Sequence, residues 1–373
     1  MTVYYFTFSV VAFLSFMYCF LSGYQKVVIG RYTVYDENKK RVYLTACIMF
    51  ILGCIGAIRG ETVGTDLVNY VPRYYSIAGT DWENLIYFKE SWGFEWGFVV
   101  FCKLLSSFFP SNIQPFLILT STITVYGFYK FITKFSKIPE LSIFIFITYG
   151  YWSNSFNTVR QYIAIGLLSW AFVCWEERKK IKAFLITILA ISIHVSSVVF
   201  ILVFFLDKIK FSKKAFQVIL IITIIIFLTP KSFLTTLLSF TSYFWYADRT
   251  GSGLSILIVL TSIFILTYIM KSRIKTFDHK IDLWLWMLGI AIISNVMALE
   301  IGLFERIMRF FLISLFVIIP DISYAFRKRV GNIIIYGGIM LAFGLFYFLV
   351  LLSTPESSGN VIPYYTFWEN YIW

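Results

Sequence analysis

Ile219-Leu220-Ile221-Ile222-Thr223-Ile224-Ile225-Ile226-Phe227-Leu228 is apolar except for Thr223, and it shows no alternation. A strand of a membrane barrel alternates lipid-facing and lumen-facing residues, so this run is not one. In hydrocarbon every backbone N–H and C=O needs a partner inside its own segment, which makes such a run a helix. About 20 apolar residues span the hydrocarbon core. Extended to 215–229, the run is a candidate span, and others lie at 3–22, 42–58, 113–132, 140–152, 159–176, 253–270, 282–299, 304–320 and 331–352. Two further stretches, 94–109 and 182–206, are harder to place. The expectation is an all-α polytopic membrane protein with about 10–12 transmembrane helices, folded as a single integral membrane domain over residues 1–373.

Composition agrees. Of 373 residues, 59% are hydrophobic and 14% charged, and 41 are Phe, against roughly a quarter charged in soluble domains. The net charge of +12 does not point to nucleic acid, because the basic residues cluster in short loops between apolar runs, the positive-inside pattern. The cysteines Cys19, Cys47, Cys54, Cys102 and Cys174 sit in apolar stretches without metal-ligand spacing, as packing residues do. Residues 2–22 lack a basic n-region and a small-residue cleavage site, so they read as a retained span.

Six basic clusters set the orientation: Lys39 to Arg41, Lys130 to Lys137, Arg178 to Lys182, Lys208 to Lys214, Lys271 to Lys275, and Arg327 to Arg329. All six are expected in the cytoplasm. The opposite side then receives 59–93, 230–252, 300–304 and the tail 353–373. In 59–93 five acids (Glu61, Asp66, Asp81, Glu83, Glu90) outnumber three bases (Arg59, Arg73, Lys89). Parity then demands an odd number of crossings between 59–93 and Lys130, so 94–109 reads as an interfacial or re-entrant helix ended by Pro110. It demands an even number between Lys182 and Lys208, which a helical hairpin with His194 near its tip would satisfy. Non-helical backbone at that depth is tolerated only inside protein or along a wet cavity. The alternative is one long span with an exceptional loop.

Unusual polar residues collect on the non-cytoplasmic side. Arg59-Gly60-Glu61-Thr62-Val63-Gly64-Thr65-Asp66-Leu67-Val68-Asn69-Tyr70 follows the second span. Arg59 either snorkels at the end of its run or binds an anion. Asp66 either caps a helix starting near Leu67 or acts chemically. Glu95 stands among aromatics in Phe94-Glu95-Trp96, where a carboxylate is costly without a partner. Arg160-Gln161 opens an apolar helix after the polar Ser153-Asn154-Ser155. A helix N-terminus already favours anions, and an arginine adds a bidentate fork suited to phosphate. His194 lies between Ile193 and Val195, a buried packing residue or a functional one. His279 lies in a basic loop. Tyr243, Trp245, Asp248 and Arg249 form an aromatic loop with charges, readable as a membrane-interface belt or as a sugar-binding surface. Glu305, Arg306 and Arg309 surround a span start; the two arginines share a helix face and Glu305 can neutralise one. No P-loop, zinc, dinucleotide or serine-hydrolase signature is present.

The loop Arg59…Gly64-Thr65-Asp66…Tyr70, the Arg160-Gln161 pair, His194-Val195-Ser196 and Val361-Ile362-Pro363-Tyr364 resemble the EpsG-like branch of Wzy-type polysaccharide polymerases, from about residue 40 to the end. The tail Pro363-Tyr364-Tyr365-Thr366 departs from the family's basic ending. The resemblance implies a bacterial inner-membrane enzyme related to C-type membrane glycosyltransferases. It implies an undecaprenyl-diphosphate-linked oligosaccharide donor and acceptor, joined outside the cytoplasm. It also implies contact with membrane lipids and association with a chain-length regulator and a flippase.

On this reading the reaction is a metal-independent and cofactor-free glycosyl transfer with lipid diphosphate as leaving group, its inverting or retaining outcome left open. Positioned arginines stabilise the charge that develops: Arg59 and Arg160 first, then Arg306 and Arg249, with Gln161, Asp248, Arg309, Tyr243 and Trp245 around the substrate. Asp66, Glu95 and His194 are the candidates for the base. The rival is a transporter or flippase of the same lipid-linked sugars. Transporters place binding groups near the midplane and carry internal repeats, whereas here the ionisable groups lie at helix ends. An acyltransferase would want His and basic residues on the cytoplasmic side, where His279 stands alone.

Overall fold

Residues 2–22, 37–239, 253–326, 329–351, 359 and 361–369 are described by a computed structural model. Its elements are helices throughout. In chain order they are α1 (Thr2–Ser22), α2 (Glu37–Ala57), α3 (Leu67–Ala78), α4 (Ile86–Trp92), α5 (Trp96–Phe108), α6 (Gln114–Phe135), α7 (Pro139–Thr148), α8 (Tyr151–Asn157), α9 (Val159–Glu176), α10 (Lys180–Ile193), α11 (Ile201–Leu206), α12 (Lys213–Leu228), α13 (Lys231–Ser239), α14 (Leu254–Ile274), α15 (Ile281–Ala298), α16 (Leu303–Phe311), α17 (Leu315–Ala325) and α18 (Arg329–Phe346). Among the described residues, four helical stretches are long and apolar enough to cross a membrane: Gln114–Phe135, Leu254–Ile274, Ile281–Ala298 and Leu303–Ala325. Shorter apolar helices lie at Thr2–Met17, Val42–Ala57, Trp96–Phe108, Pro139–Thr148, Val195–Leu206 and Ile334–Leu349. The protein is an all-α polytopic membrane protein.

The chain divides into two units, Met1–Val195 with Phe326–Trp373, and Ser196–Ala325. In the first, α7 is the core: all ten of its residues are buried. It packs against α1, α2, α6 and α18. The expected span 140–152 is therefore not one helix. Pro139 starts α7 at a position that tolerates proline, and Gly150, at φ 77°, turns the chain into α8, a left-handed conformation that costs glycine nothing. The helix α9 packs between α6 and α10. At the α6–α9 crossing, a methyl built on Gly127 would overlap the Gly166 backbone carbonyl, so the two backbones touch. Small residues permit such close approach of membrane helices.

The helix α5 ends at Phe108, as expected from Pro110. At 13 residues it is about 20 Å long, well short of a hydrocarbon core of about 30 Å. One face buries Phe98, Val99, Cys102, Lys103 and Ser106, while Trp96, Leu104 and Phe108 are exposed. The stretch 182–206 is likewise broken. The helix α10 stops at Ile193, His194 is extended at φ −151° and ψ 105°, and 3₁₀ turns at Val195–Phe200 lead into α11.

In the second unit α15 is central, packed against α12, α14 and α16. The turn from α14 into α15 is tied by Lys271 and Lys275 to Asp282, at 2.5 and 3.1 Å, and by Lys280 to Asp207 at 2.6 Å. The expected span 304–320 is interrupted by a 3₁₀ turn at Leu312–Ser314 but continues to Ala325.

Candidate active site

The loop after α2 is held by two parts of the chain far from it in sequence. Gly60 N–H donates to the Tyr365 carbonyl at 2.8 Å, and Phe367 N–H to the Ile58 carbonyl at 3.0 Å, an antiparallel bridge between Arg59 and Thr366. Thr65 donates its N–H and its hydroxyl to the Gly359 carbonyl, each at 2.9 Å. Asp66 N–H donates to Asn157 Oδ1 at 3.0 Å. Gly64 sits at φ 112°, and a Cβ there would stand 2.5 Å from the Phe156 carbonyl. The position therefore excludes side chains both by its dihedral and by space.

This strap covers Arg59, whose exposure is 1%. Its Nη1 donates to the Gly56 carbonyl at the end of α2, a cation against a helix C-terminus. Its guanidinium carbon lies 4.9 Å from the Phe156 ring centre. Among the described residues Nε and Nη2 have no hydrogen-bond partner. Burial pulls its pKa down to about 10, opposed by the hydroxyls of Tyr364 and Tyr4. Arg59 does not snorkel.

A second cluster joins α3, α5, α9 and α10. Arg160, at the start of α9, donates from Nε to the Tyr70 hydroxyl at 3.0 Å and from Nη1 to Glu95 Oε2 at 2.5 Å. Its guanidinium carbon lies 4.7 Å from the Phe94 ring centre. The other Glu95 oxygen accepts the Val195 N–H at 3.0 Å, and His194 Nδ1 lies 3.5 Å from it. At the break in α10, Glu95 supplies the acceptor that the helix no longer provides to the Val195 N–H. Burial by itself would raise the Glu95 carboxyl. The His194 hydrogen bond, the Arg160 charge and the Val195 N–H outweigh it and hold the group at about 2.

The structure thus brings together Arg160, Glu95 and His194 out of the residues singled out in the sequence. Asp66 is half-buried at the start of α3 and makes no side-chain cap. Gln161 is 3% exposed within the packed face of α9. Arg306 and Arg309 belong to the second unit, on α16, where Arg309 is paired with Glu305 one turn away. Tyr243, Trp245, Asp248 and Arg249 lie outside the described residues.

Two residues that the sequence reading does not place in the site, Lys103 and Arg73, lie beside it. Lys103 is buried and donates to the carbonyls of Ile77, Ala78 and Thr80 at 3.3, 3.3 and 2.6 Å, closing the C-terminus of α3 with a cation. Its signal was legible as a single lysine inside an apolar stretch. Arg73 lies one turn after Tyr70 on α3, against Trp92 and Phe94. That spacing was also in the sequence.

Fold and site together define a polytopic helical membrane protein with an arginine–carboxylate–histidine cluster where α3, α5, α9 and α10 meet. A model of the EpsG family matches residues 42–366, and the chain belongs to that family of Wzy-like polysaccharide polymerases. The match takes in Arg59, Asp66, Glu95, Arg160 and His194. No curated protein and no solved structure matches the chain.

Proposed function

We propose that this protein joins undecaprenyl-diphosphate-linked oligosaccharide repeats into a surface polysaccharide at the extracytoplasmic face of the bacterial inner membrane. The donor is a growing glycan on lipid diphosphate, and the acceptor is a single lipid-linked repeat. An acceptor hydroxyl attacks the anomeric carbon, the bond from that carbon to the diphosphate oxygen breaks, and the lipid diphosphate leaves with the electron pair. Arginine donors aimed at the leaving group stabilise its charge. The hydroxyl proton goes to a base.

The observation that carries this reading, beyond family membership, is the Glu95 carboxylate engaged at once by Arg160, the Val195 N–H and His194. A carboxylate held at about 2 is a poor proton acceptor near neutrality, because effective catalytic pKa values lie close to the working pH. Glu95 is therefore a positioning residue that orients Arg160 toward the phosphates and the His194 imidazole toward the acceptor. His194 is the base in this reading.

The test is reconstitution. Purified protein in liposomes, given a synthetic undecaprenyl-diphosphate-linked repeat, should produce a ladder of lipid-linked multimers and release undecaprenyl diphosphate. Movement of the lipid-linked repeat across the bilayer without any ladder would replace the polymerase with a transporter.

A further inference from the structure

The first unit holds three arginines in or beside the candidate site, of which one is enclosed and one is paired. Arg59 is covered by the C-terminal strap, with Nη1 bound to Gly56. Arg160 is paired with Glu95. Arg73 differs. It is half-buried, and its guanidinium carbon lies 5.2 Å from the Trp92 ring centre and 5.1 Å from that of Phe94. Among the described residues its side chain makes no ion pair and no hydrogen bond, and its guanidinium lies against those two rings. Cation–π attraction orients the group, and its five donors have no protein acceptor to saturate them.

Phe94 links it to the cluster. Arg160 lies against that same ring at 4.7 Å, so two guanidinium carbons lie within 5.1 Å of the centre of one phenyl ring. One of them is neutralised by a carboxylate and the other is not. Such a pair suits a ligand with two adjacent anionic groups rather than one. A planar, rigid fork that is already oriented matches phosphate oxygens bidentately, which a lysine cannot do.

We propose that Arg73 is a diphosphate-binding residue: its fork donates two hydrogen bonds to one phosphoryl group of the lipid diphosphate, beside Arg160. The assignment rests on the leaving group argued above.

The experiment compares wild type, Arg73→Met and Arg73→Lys, purified in detergent, for binding of undecaprenyl diphosphate and of undecaprenyl monophosphate. Methionine keeps an unbranched stem against Trp92 and Phe94, and lysine keeps the charge without the fork. Wild type should prefer the diphosphate. Arg73→Met should lose on the order of tenfold to a hundredfold in diphosphate affinity, the loss expected for hydrogen bonds to a charged group, with a smaller change for the monophosphate. Arg73→Lys should fall between the two at an unchanged melting temperature. Wild-type affinities in a folded Arg73→Met overturn the proposal alone. If that variant does not fold, Arg73→Lys decides, and an undiminished diphosphate preference there overturns it. Wild type that polymerises in liposomes yet binds both lipids equally would remove the diphosphate clamp itself, and this proposal with it.

Discussion

Glu95 shows how one side chain can organise a site without doing its chemistry. Its folded pKa of about 2 lies below the ordinary value of about 4.3 for an unfolded chain. The stabilisation it contributes is therefore fully present above the unfolded value and is lost as pH falls through the folded one. Glu95 itself does not titrate between pH 8 and pH 5. A depression of this size corresponds to about 3 kcal/mol. Glu95→Gln should lower the detergent melting midpoint by a comparable free energy at pH 7. A loss of stability between pH 7 and pH 5 that Glu95→Gln abolished would contradict a carboxyl held so low. Arg160 gives the complementary prediction. Its Nε and Nη1 serve Tyr70 and Glu95 at once, a geometry that lysine cannot copy. Arg160→Lys should shorten or abolish the glycan ladder, with about a hundredfold loss in rate, as for other donors at a developing charge. A normal ladder at normal membrane abundance on a blot would take Arg160 out of the site.

Among the elements of the first unit, α6 and α9 come close enough for Gly127 to face the Gly166 carbonyl. These two helices carry Gln114, which reaches the Ala57 carbonyl beside the Arg59 loop, and Arg160. Their spacing therefore sets the spacing of the two arginine clusters. A methyl at Gly127 has to push backbone from backbone, and overpacking of this kind costs about 1–3 kcal/mol or more. Gly337 on α18 has nothing within 4 Å of a built Cβ. Gly127→Ala should reduce membrane abundance and melting temperature, whereas Gly337→Ala should leave both unchanged or slightly raised, since alanine is the better helix former. Equal behaviour of the two variants would deny the contact.

At the level of the whole molecule, the arginine clusters and the lysines lie at opposite ends of the same helices. Gln114 begins α6, and Lys130 and Lys134 lie near its other end; Arg160 begins α9, and Lys179 follows its other end. On the proposed orientation, with the lysines in the cytoplasm, the candidate site would face outward. Single cysteines placed at 66, 179 and 275 in a chain lacking its five native cysteines report this directly. An impermeant thiol reagent added to intact cells should label position 66 and spare 179 and 275. Labelling of 275 from outside would reverse the orientation.

Membrane class, helical content, the helix ends to within a residue of Ala57, Phe108 and Glu176, and a break at His194 as one of two alternatives were legible in the amino-acid order, because each depends on local hydropathy, on proline and on loop charge. Arg160, Glu95 and His194 were legible one at a time, as ionisable groups beside apolar runs. Their convergence was not: it depends on α5, α9 and α10 bringing their ends together, and no local period encodes that meeting. The same holds for Arg59, which reads as a flanking residue or an anion binder until Thr366 and Gly359 are seen to fold over it, and for α7, which reads as part of a span although all ten of its residues are buried. Hydropathy cannot separate burial in lipid from burial in protein, since both solvents are apolar. Only the packing of the helices decides which one a given helix meets.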